Sequence, residues 1–414
     1  MRKKQIVVLG GGIAGIEFLV RINKQIDHSQ YELSLIDKNE FHTWKPMLHT
    51  FAAGTASPQE QGMPFLIQAK RHNFTFQPGE VSEVNTEKKE IILAPYIDKH
   101  DDEILPQRTV HYDYLVVALG SRANDFNTKG VKEFAYTIDD VGYAIEFYDD
   151  LKKYTIQSTL LQKKHHIIIV GAGATGIELA GEVVHVLQQS SQYTNHNLEK
   201  YIDITVIQSG DRVLPSFKKP ISRSVQKTMD QIGVKTLLST RVTEVTKDHV
   251  VLSSGETLPA NQVVWTTGIK ATEISGDISN GERSKNLQLI VNSQFQLLNH
   301  PDIFVIGDCS FMQDKPLAPT AQVARQQAIY LSKNFIKIIH KETNIPRFMY
   351  KDYGSLISVG RYGSFGSFGS TGQVKGILAH LAHILLYRTH QMNILGTFRG
   401  ISAILADLLR NLSR

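Results

Sequence analysis

The chain has 414 residues and a formal charge of only +5. That is long enough for two or three domains with separate cores, but the charge is small and no basic run interleaves with aromatics, so no nucleic-acid surface is expected. Its single cysteine, Cys309, excludes an internal disulfide or a Cys-x-x-Cys pair and suits a reducing compartment, while no apolar run reaches the roughly 18 to 20 residues needed to span a bilayer.

The strand pattern begins at Ile6, leaving no room for a signal peptide. The run Ile6 to Leu9 leads into Gly10-Gly11-Gly12-Ile13-Ala14-Gly15 and then into a helical pattern. Glycine at positions 10, 12 and 15 lets the backbone turn sharply, approach a pyrophosphate and pack a helix on a sheet, so an adenine dinucleotide is the natural ligand. The next strand, Tyr31 to Ile36, ends at Asp37, whose carboxylate can accept from both hydroxyls of an adenosine ribose. The stretch Phe41-His42-Thr43-Trp44-Lys45-Pro46-Met47-Leu48-His49 breaks any regular period and reads as a loop entering a short helix. Either it lies close to the cofactor, or Trp44 and Leu48 fill core while the histidines sit at the surface. Tyr112 to Ser121 reads as a buried strand ending at Gly120, where backbone can approach a ligand.

The pattern then repeats. Ile167 to Val170 leads into Gly171-Ala172-Gly173-Ala174-Thr175-Gly176, with Glu178 in the helix that follows. The next strand, Ile202 to Ile207, ends at Gln208, where the first unit has Asp37. Two such units are far more specific than one. Val263 to Gly268 echoes the strand ending at Gly120, as expected of a chain returning to the first unit. Asp302 to Cys309 is a further strand ending in Gly307-Asp308, an acid suited to a ribityl hydroxyl or, through water, a phosphate. Cys309 is expected to be a small buried residue. Pro319-Thr320 should start a helix capped by Thr320, with Ala324, Ala328, Leu331, Phe335 and Ile338 on one apolar face and Gln322 and Gln326 one turn apart.

From Tyr350 glycine, serine and aromatics suggest short strands. After Gly376 the pattern is amphipathic, with Ile377, Leu381, Ile384 and Leu385 on one side and His380, His383 and Tyr387 on another. From Gln373 the tail holds Lys375 and four arginines against one acid, Asp407. It looks like an interfacial helix for an anionic lipid surface, and the competing reading is core packing or the face of a homodimer. His380 and His383 lack a third ligand, so no metal site is expected.

The two glycine turns, the Trp-Lys-Pro-Met-Leu-His loop, the Ile-Gly-Asp strand and Ala321-Gln322-Val323-Ala324-Arg325-Gln326 together resemble the type II NADH:quinone dehydrogenases, single-subunit, non-proton-pumping flavoproteins. The resemblance covers nearly the whole chain, and Leu386 to Gln391 is similar to the membrane-binding end of the Gram-negative respiratory enzymes. It implies an α/β fold of two Rossmann-like dinucleotide-binding domains of the pyridine-nucleotide:disulfide reductase type. Residues 1–125 and 288–350 would form a discontinuous FAD-binding domain, 126–287 the NAD(P)H-binding domain, and 351–414 a C-terminal region with membrane-anchoring helices. FAD is implied at Gly10, Gly12, Gly15, Asp37, Lys45, Gly120, Asp308, Ala321 and Gln322. NADH is implied at Gly171, Gly173, Gly176, Glu178, Gln208 and Gly268, and a membrane quinone beside Glu178, Gln322 and Gln326, the implied catalytic residues. The place implied is the cytoplasmic face of the inner membrane, peripherally bound.

Two positions complicate the resemblance. Glu17 occupies in the first turn the place of Glu178 in the second, so an acid there can simply suit a helix start. Gln208 stands where family members usually carry an acid, which puts strict NADH preference in doubt. A sulfide:quinone oxidoreductase would need cysteines near the flavin. A soluble NAD(P)H-dependent reductase of a ferredoxin- or rubredoxin-type protein would have the same two domains but no use for the tail. A non-catalytic NADH-sensing flavoprotein would also have both.

Overall fold

The computed structural model describes residues 2–98, 100–194, 198–274, 282–368 and 372–376, together with 276, 278, 379, 389, 391, 392, 394–396 and 400–402. An eight-stranded sheet runs in the order Ser310–Met312, Leu289–Val291, Gln296–Leu297, His300–Val305, Tyr114–Val117, Lys4–Leu9, Tyr31–Asp37, Thr75–Pro78. Its central strands are parallel, pairing Leu9 with Ile36 and Val117, and Val117 with Val305. These strands are apolar on both faces because both faces are covered, which is why they read as continuous runs rather than alternations. The helices Ile13–Ile22 and Ala321–Ile339 pack together over the sheet. Phe335 is fully buried there, edge-on to Phe18 at 5.5 Å and 4.9 Å from Phe304 between ring centroids. The apolar face expected of the second helix, Ala324, Ala328, Leu331, Phe335 and Ile338, is buried throughout.

A five-stranded parallel sheet, in the order Ala135–Thr137, Gln262–Trp265, His165–Val170, Ile202–Ile207, Lys235–Leu237, forms the second unit. The chain crosses between the units twice, and the crossing segments Ser121–Ala123 and Ile269–Ala271 pair as an antiparallel ribbon. The core of the second unit takes in more than its own helices. Leu48, Phe51 and Ala52 of the helix Leu48–Ala53 belong to it, as do Ile357 and Phe365 of a three-stranded antiparallel sheet, Ser355–Ser358, Ser364–Phe368 and Gly372–Lys375, and Val359 just after its first strand. The short strands expected after Tyr350 are this sheet.

Most of the expected amphipathic tail lies outside the described residues, including His380, His383 and the four arginines. Of what is described, Ile394 is buried in the first core, and Nη1 of Arg71 and Nε2 of His72 donate to the carbonyls of Leu395 and Ile394, each at 3.0 Å.

Both glycine turns have the same construction. Gly10 and Gly171 adopt φ of +94° and +112°, a region that strains a side chain. A Cβ on Gly15 would lie 1.9 Å from the carbonyl oxygen of Gly10, and one on Gly176 would lie 2.0 Å from that of Gly171. A Cβ on Gly12 or Gly173 would meet nothing within 4 Å. Gly15→Ala and Gly176→Ala should therefore destabilise their units by about 4 kcal/mol or more, at the severe end for point changes. Gly12→Ala and Gly173→Ala should melt within a few degrees of the parent. Calorimetric unfolding of the four variants checks this, and equal losses at all four positions would contradict it.

Candidate functional site

In the first unit Asp37, at the end of the second strand, is tied to the turn. The Gly11 N–H donates to Oδ2 of Asp37 at 2.7 Å, and Oδ1 accepts from the N–H of Asn39 at 2.8 Å. Burial raises the Asp37 carboxyl above its ordinary value despite these bonds. In the second unit the Ala172 N–H donates to Oε1 of Gln208 at 2.9 Å. The two residues thus occupy one structural place with different chemistry. The carboxylate of Asp37 has only acceptors, whereas Gln208 uses its carbonyl on the turn and keeps an NH₂ donor beyond it.

Around the first turn, His42 is buried, and burial lowers its pKa to about 4. It is neutral near pH 7, and its Nδ1–H donates to the Gly11 carbonyl at 2.8 Å. His49 is buried too, so the reading that places both histidines at the surface fails, although Trp44 and Leu48 do fill core. The core of the second unit explains His49: its helix is pulled into that core by Leu48 and Phe51. Lys45 Nζ donates to the Ser121 carbonyl at 2.5 Å, and Ser121 Oγ donates to Oδ2 of Asp308 at 2.8 Å. Gly120, at φ +70°, faces open space. These groups bring the loop at 45, the strand end at 120 and the turn at 308 to one place.

Cys309 is buried against the Ile306 carbonyl at 3.3 Å, and burial pushes its thiol up to about 12, so it is inert packing as expected. Gln327, which the sequence pattern does not single out, is buried and accepts the Gly307 N–H at 2.7 Å, fixing the turn that presents Asp308. The available signal was its place beside Ala324 and Ala328 on the apolar face, where a polar residue needs a partner. The helix Ala321–Ile339 starts as expected, with Thr320 Oγ1 accepting the Val323 N–H at 3.2 Å. Gln322 and Gln326 both turn toward the backbone of residues 351–354.

The fit of this chain to dinucleotides rests on the open space beside Gly12 and Gly173 at two helix starts, each with a polar residue at the end of the following strand. Gly268 differs from Gly120 in being covered: a Cβ there would meet the Phe126 ring at 2.4 Å.

The two equivalent acids diverge sharply. Glu17 bridges helices, with Arg21 Nε at 2.7 Å and Arg325 Nε at 3.6 Å. Glu178 instead meets the His49 ring, Nδ1 to Oε2 at 3.5 Å, and accepts the Ser358 N–H on Oε1 at 3.2 Å. Burial raises its pKa to about 8, and Glu182 one turn on pushes in the same direction. Glu178 therefore holds a proton near neutral pH, buried where the helix of the second turn meets the Leu48–Ala53 helix and the Ser355–Ser358 strand.

Two glycine turns, each opening a helix beside a parallel sheet, define a fold of two dinucleotide-binding units, and residues 4–328 match the model of the pyridine nucleotide-disulphide oxidoreductase family. A type II NADH:quinone oxidoreductase of Haemophilus influenzae is 31% identical over 381 residues, covering 87% of this chain and 86% of that protein. One from Staphylococcus aureus is 27% identical, covering 87% and 88%. The chain belongs to the pyridine nucleotide-disulphide oxidoreductase family and, within it, to the type II NADH:quinone oxidoreductases. Among solved structures, NDH2 from Plasmodium falciparum in complex with NADH shares the fold at a TM-score of 0.86 and 22% identity, covering 99% of this chain and 98% of that one. The sulfide:quinone oxidoreductase of Aquifex aeolicus shares it at 0.73 and 18% identity, covering 96% and 94%.

The buried acid makes stability depend on pH. Unfolded, Glu178 titrates at the ordinary carboxyl value; folded, it titrates near 8. Between the two the folded state binds more protons, so stability falls as pH rises through this window. Glu178→Gln cannot ionise, and its melting temperature should gain on the parent by ~5 °C or more between pH 5 and pH 9. Parallel melting curves against pH for the two proteins would overturn the assignment.

Proposed function

We propose that this protein oxidises NADH and reduces a membrane quinone through FAD without pumping protons. The observation that carries this reading is the buried Glu178, held between His49 and the Ser358 N–H where the Leu48–Ala53 helix, the second turn's helix and the C-terminal sheet meet. When bound, FAD supplies the two-electron chemistry that links the nicotinamide to the quinone. The residues that would hold it are Gly12 and Asp37 at the first turn, together with Lys45, Gly120 and Asp308, which the structure brings together. NADH would be held on the second turn by Gly173 and Gln208. Reduction of a quinone to a quinol takes up two electrons and two protons. One proton arrives with the hydride that NADH gives up; Glu178, protonated near neutral pH, would hand over the other and be reprotonated from solvent, and the N-terminal turns of the helix Ala321–Ile339 would face the quinone.

A sulfide:quinone oxidoreductase shares the fold, but the only cysteine is buried Cys309 with its thiol held protonated. No helix among the described residues is long and apolar enough to cross a membrane. The basic tail is proposed to hold the enzyme peripherally on anionic lipid at the cytoplasmic face of the inner membrane, with a homodimer face as the competing role. Each basic residue near such a surface contributes on the order of 1 kcal/mol, screened by salt. A protein ending near Gln373 should cosediment with anionic liposomes at least tenfold less than the full chain; equal pelleting would assign the tail to a dimer or to the core.

The function is tested by following NADH and NADPH oxidation with a quinone and with a ferredoxin-type acceptor. Quinone-dependent turnover is expected, and turnover with ferredoxin alone would favour the soluble reductase. An acid at position 208 would repel a 2′-phosphate that the Gln208 amide can meet with its NH₂ group. NADPH should therefore be a measurable, poorer substrate. Gln208→Glu should lower its kcat/KM by tenfold or more, roughly 1.4 kcal/mol, while sparing NADH. An equal response of both cofactors would remove Gln208 from cofactor choice.

A further inference from the structure

Residues 346–354 form no helix or strand, yet an irregular segment must still find partners for its backbone N–H and C=O groups. They come from one face of the helix Ala321–Ile339. Tyr330 donates its hydroxyl to the Pro346 carbonyl at 2.8 Å. Gln326 makes a closed pair with Lys351, its Nε2 donating to the carbonyl at 2.8 Å and its Oε1 accepting the N–H at 3.0 Å. Gln322 does the same one turn earlier, accepting the Tyr353 N–H at 2.7 Å and donating to the Gly354 carbonyl at 3.2 Å. Phe348 anchors the middle, 5.1 Å from Phe295 and 5.5 Å from Tyr330 between ring centroids.

The spacing is a geometric match. Four residues of helix advance ~6 Å, and two residues of extended chain advance ~6.6 Å, so glutamines at i and i+4 can grip Tyr353 and Lys351 without strain. The outward side chains do not hold this strap, since Met349 is 80% exposed and Tyr353 59%. Immediately after Gly354 the strap becomes the strand Ser355–Ser358, whose last residue donates its N–H to Glu178. Val359 and Gly360 then lie against Gly181 of the same helix, so closely that a Cβ on Gly181 would meet them at 2.8 and 2.9 Å.

We propose that Gln322 and Gln326 are positioning residues: their side-chain amides clamp the backbone of residues 351–354 and so seat the strand Ser355–Ser358 against Glu178. The clamp ties the helix of the first unit to the acid of the second. It deepens the quinone-reductase reading and rests on it for its consequence in turnover, but the clamp itself is a property of the fold. The polar ends of both glutamines face the strap, so they act on the quinone through the strap and Glu178. The groups around Glu178 are His49 from the Leu48–Ala53 helix, Glu182 and His185 from its own helix, and Arg361 beyond the strand. None of them bonds to the two glutamines.

The test uses the full-length, FAD-loaded enzyme and four variants, one of them double. Gln326→Met keeps the length and removes the clamp, while Lys351→Pro removes the N–H that Gln326 accepts and leaves both glutamines intact. In each, tryptic cleavage after Arg347 or Lys351 should be at least tenfold faster; for Lys351→Pro the site read is Arg347. The Ser358 N–H lowers the pKa of Glu178, so loosening it should move the alkaline limb of quinone turnover up by about half a pH unit. That limb should be absent in Glu178→Gln, and adding Gln326→Met to it should not restore it. If Gln326→Met raises the quinone KM while strap cleavage and the alkaline limb stay as in the parent, the glutamine contacts the quinone directly and the proposal fails. Should Gln326→Met not fold, Lys351→Pro decides alone: parental cleavage and parental pH profile would overturn the clamp. A parent enzyme without quinone turnover would sink the functional reading and leave the cleavage comparison as the measure of the clamp.

Discussion

The contact on which the rest depends is that of a helix with its own glycine turn. Because Gly15 sits on the Gly10 carbonyl and Gly176 on that of Gly171, each helix is drawn against the first strand of its sheet. Its N-terminal N–H groups are thereby fixed beside the open ground at Gly12 and Gly173. A helix start carries partial positive charge as well as free donors, so this one approach creates an anion site twice. The residue closing the next strand then sets what the anion's neighbour can be, and the chain uses a carboxylate in one unit and an amide in the other at the same hydrogen bond.

What distinguishes the two halves is what surrounds the acid one turn into each helix. Glu17 has two arginines and serves as a strut between helices. Glu178 is enclosed by elements that come from elsewhere, the Leu48–Ala53 helix and the C-terminal sheet, both drawn into the second core by apolar side chains. Burial of a carboxyl without such cations favours its neutral form. Packing forces that have nothing to do with charge thus set the protonation state of the group nearest the proposed chemistry.

Much of this was legible in the chain. The two turns, the strands ending at Asp37 and Gln208, the Thr320 cap and the apolar face through Phe335 are local patterns, and each appears in the structure at the residues where the pattern lies. Domain-scale pairings were less so. That Leu48 and Phe51 belong to the second core could not be read from a loop that breaks every period, and the burial of His49 follows from it. The partners of Gln322 and Gln326 are backbone groups, which carry no sequence signal at all. Glu17 and Glu178 hold the same place after their turns; the residue four positions on, Arg21 against Glu182, already separates them in the sequence, while the contacts of Arg325, His49 and Ser358 are long-range.

The first sheet is assembled from both ends of the chain. Tyr114–Val117 pairs on one side with Lys4–Leu9 and on the other with His300–Val305, and the second unit is made in between. During synthesis at the usual rates, roughly ten to forty seconds separate the emergence of these two strands from the ribosome. Throughout that interval an apolar strand edge, Leu115 to Val117, stands unpaired, which is the arrangement most prone to pairing with other chains. The strands of the second sheet, from Ala135 to Trp265, emerge without such a gap, but the core beneath them is completed only by Ile357, Val359 and Phe365. Both units therefore close late in synthesis, the first on His300–Val305 and the second on the sheet that follows Tyr350.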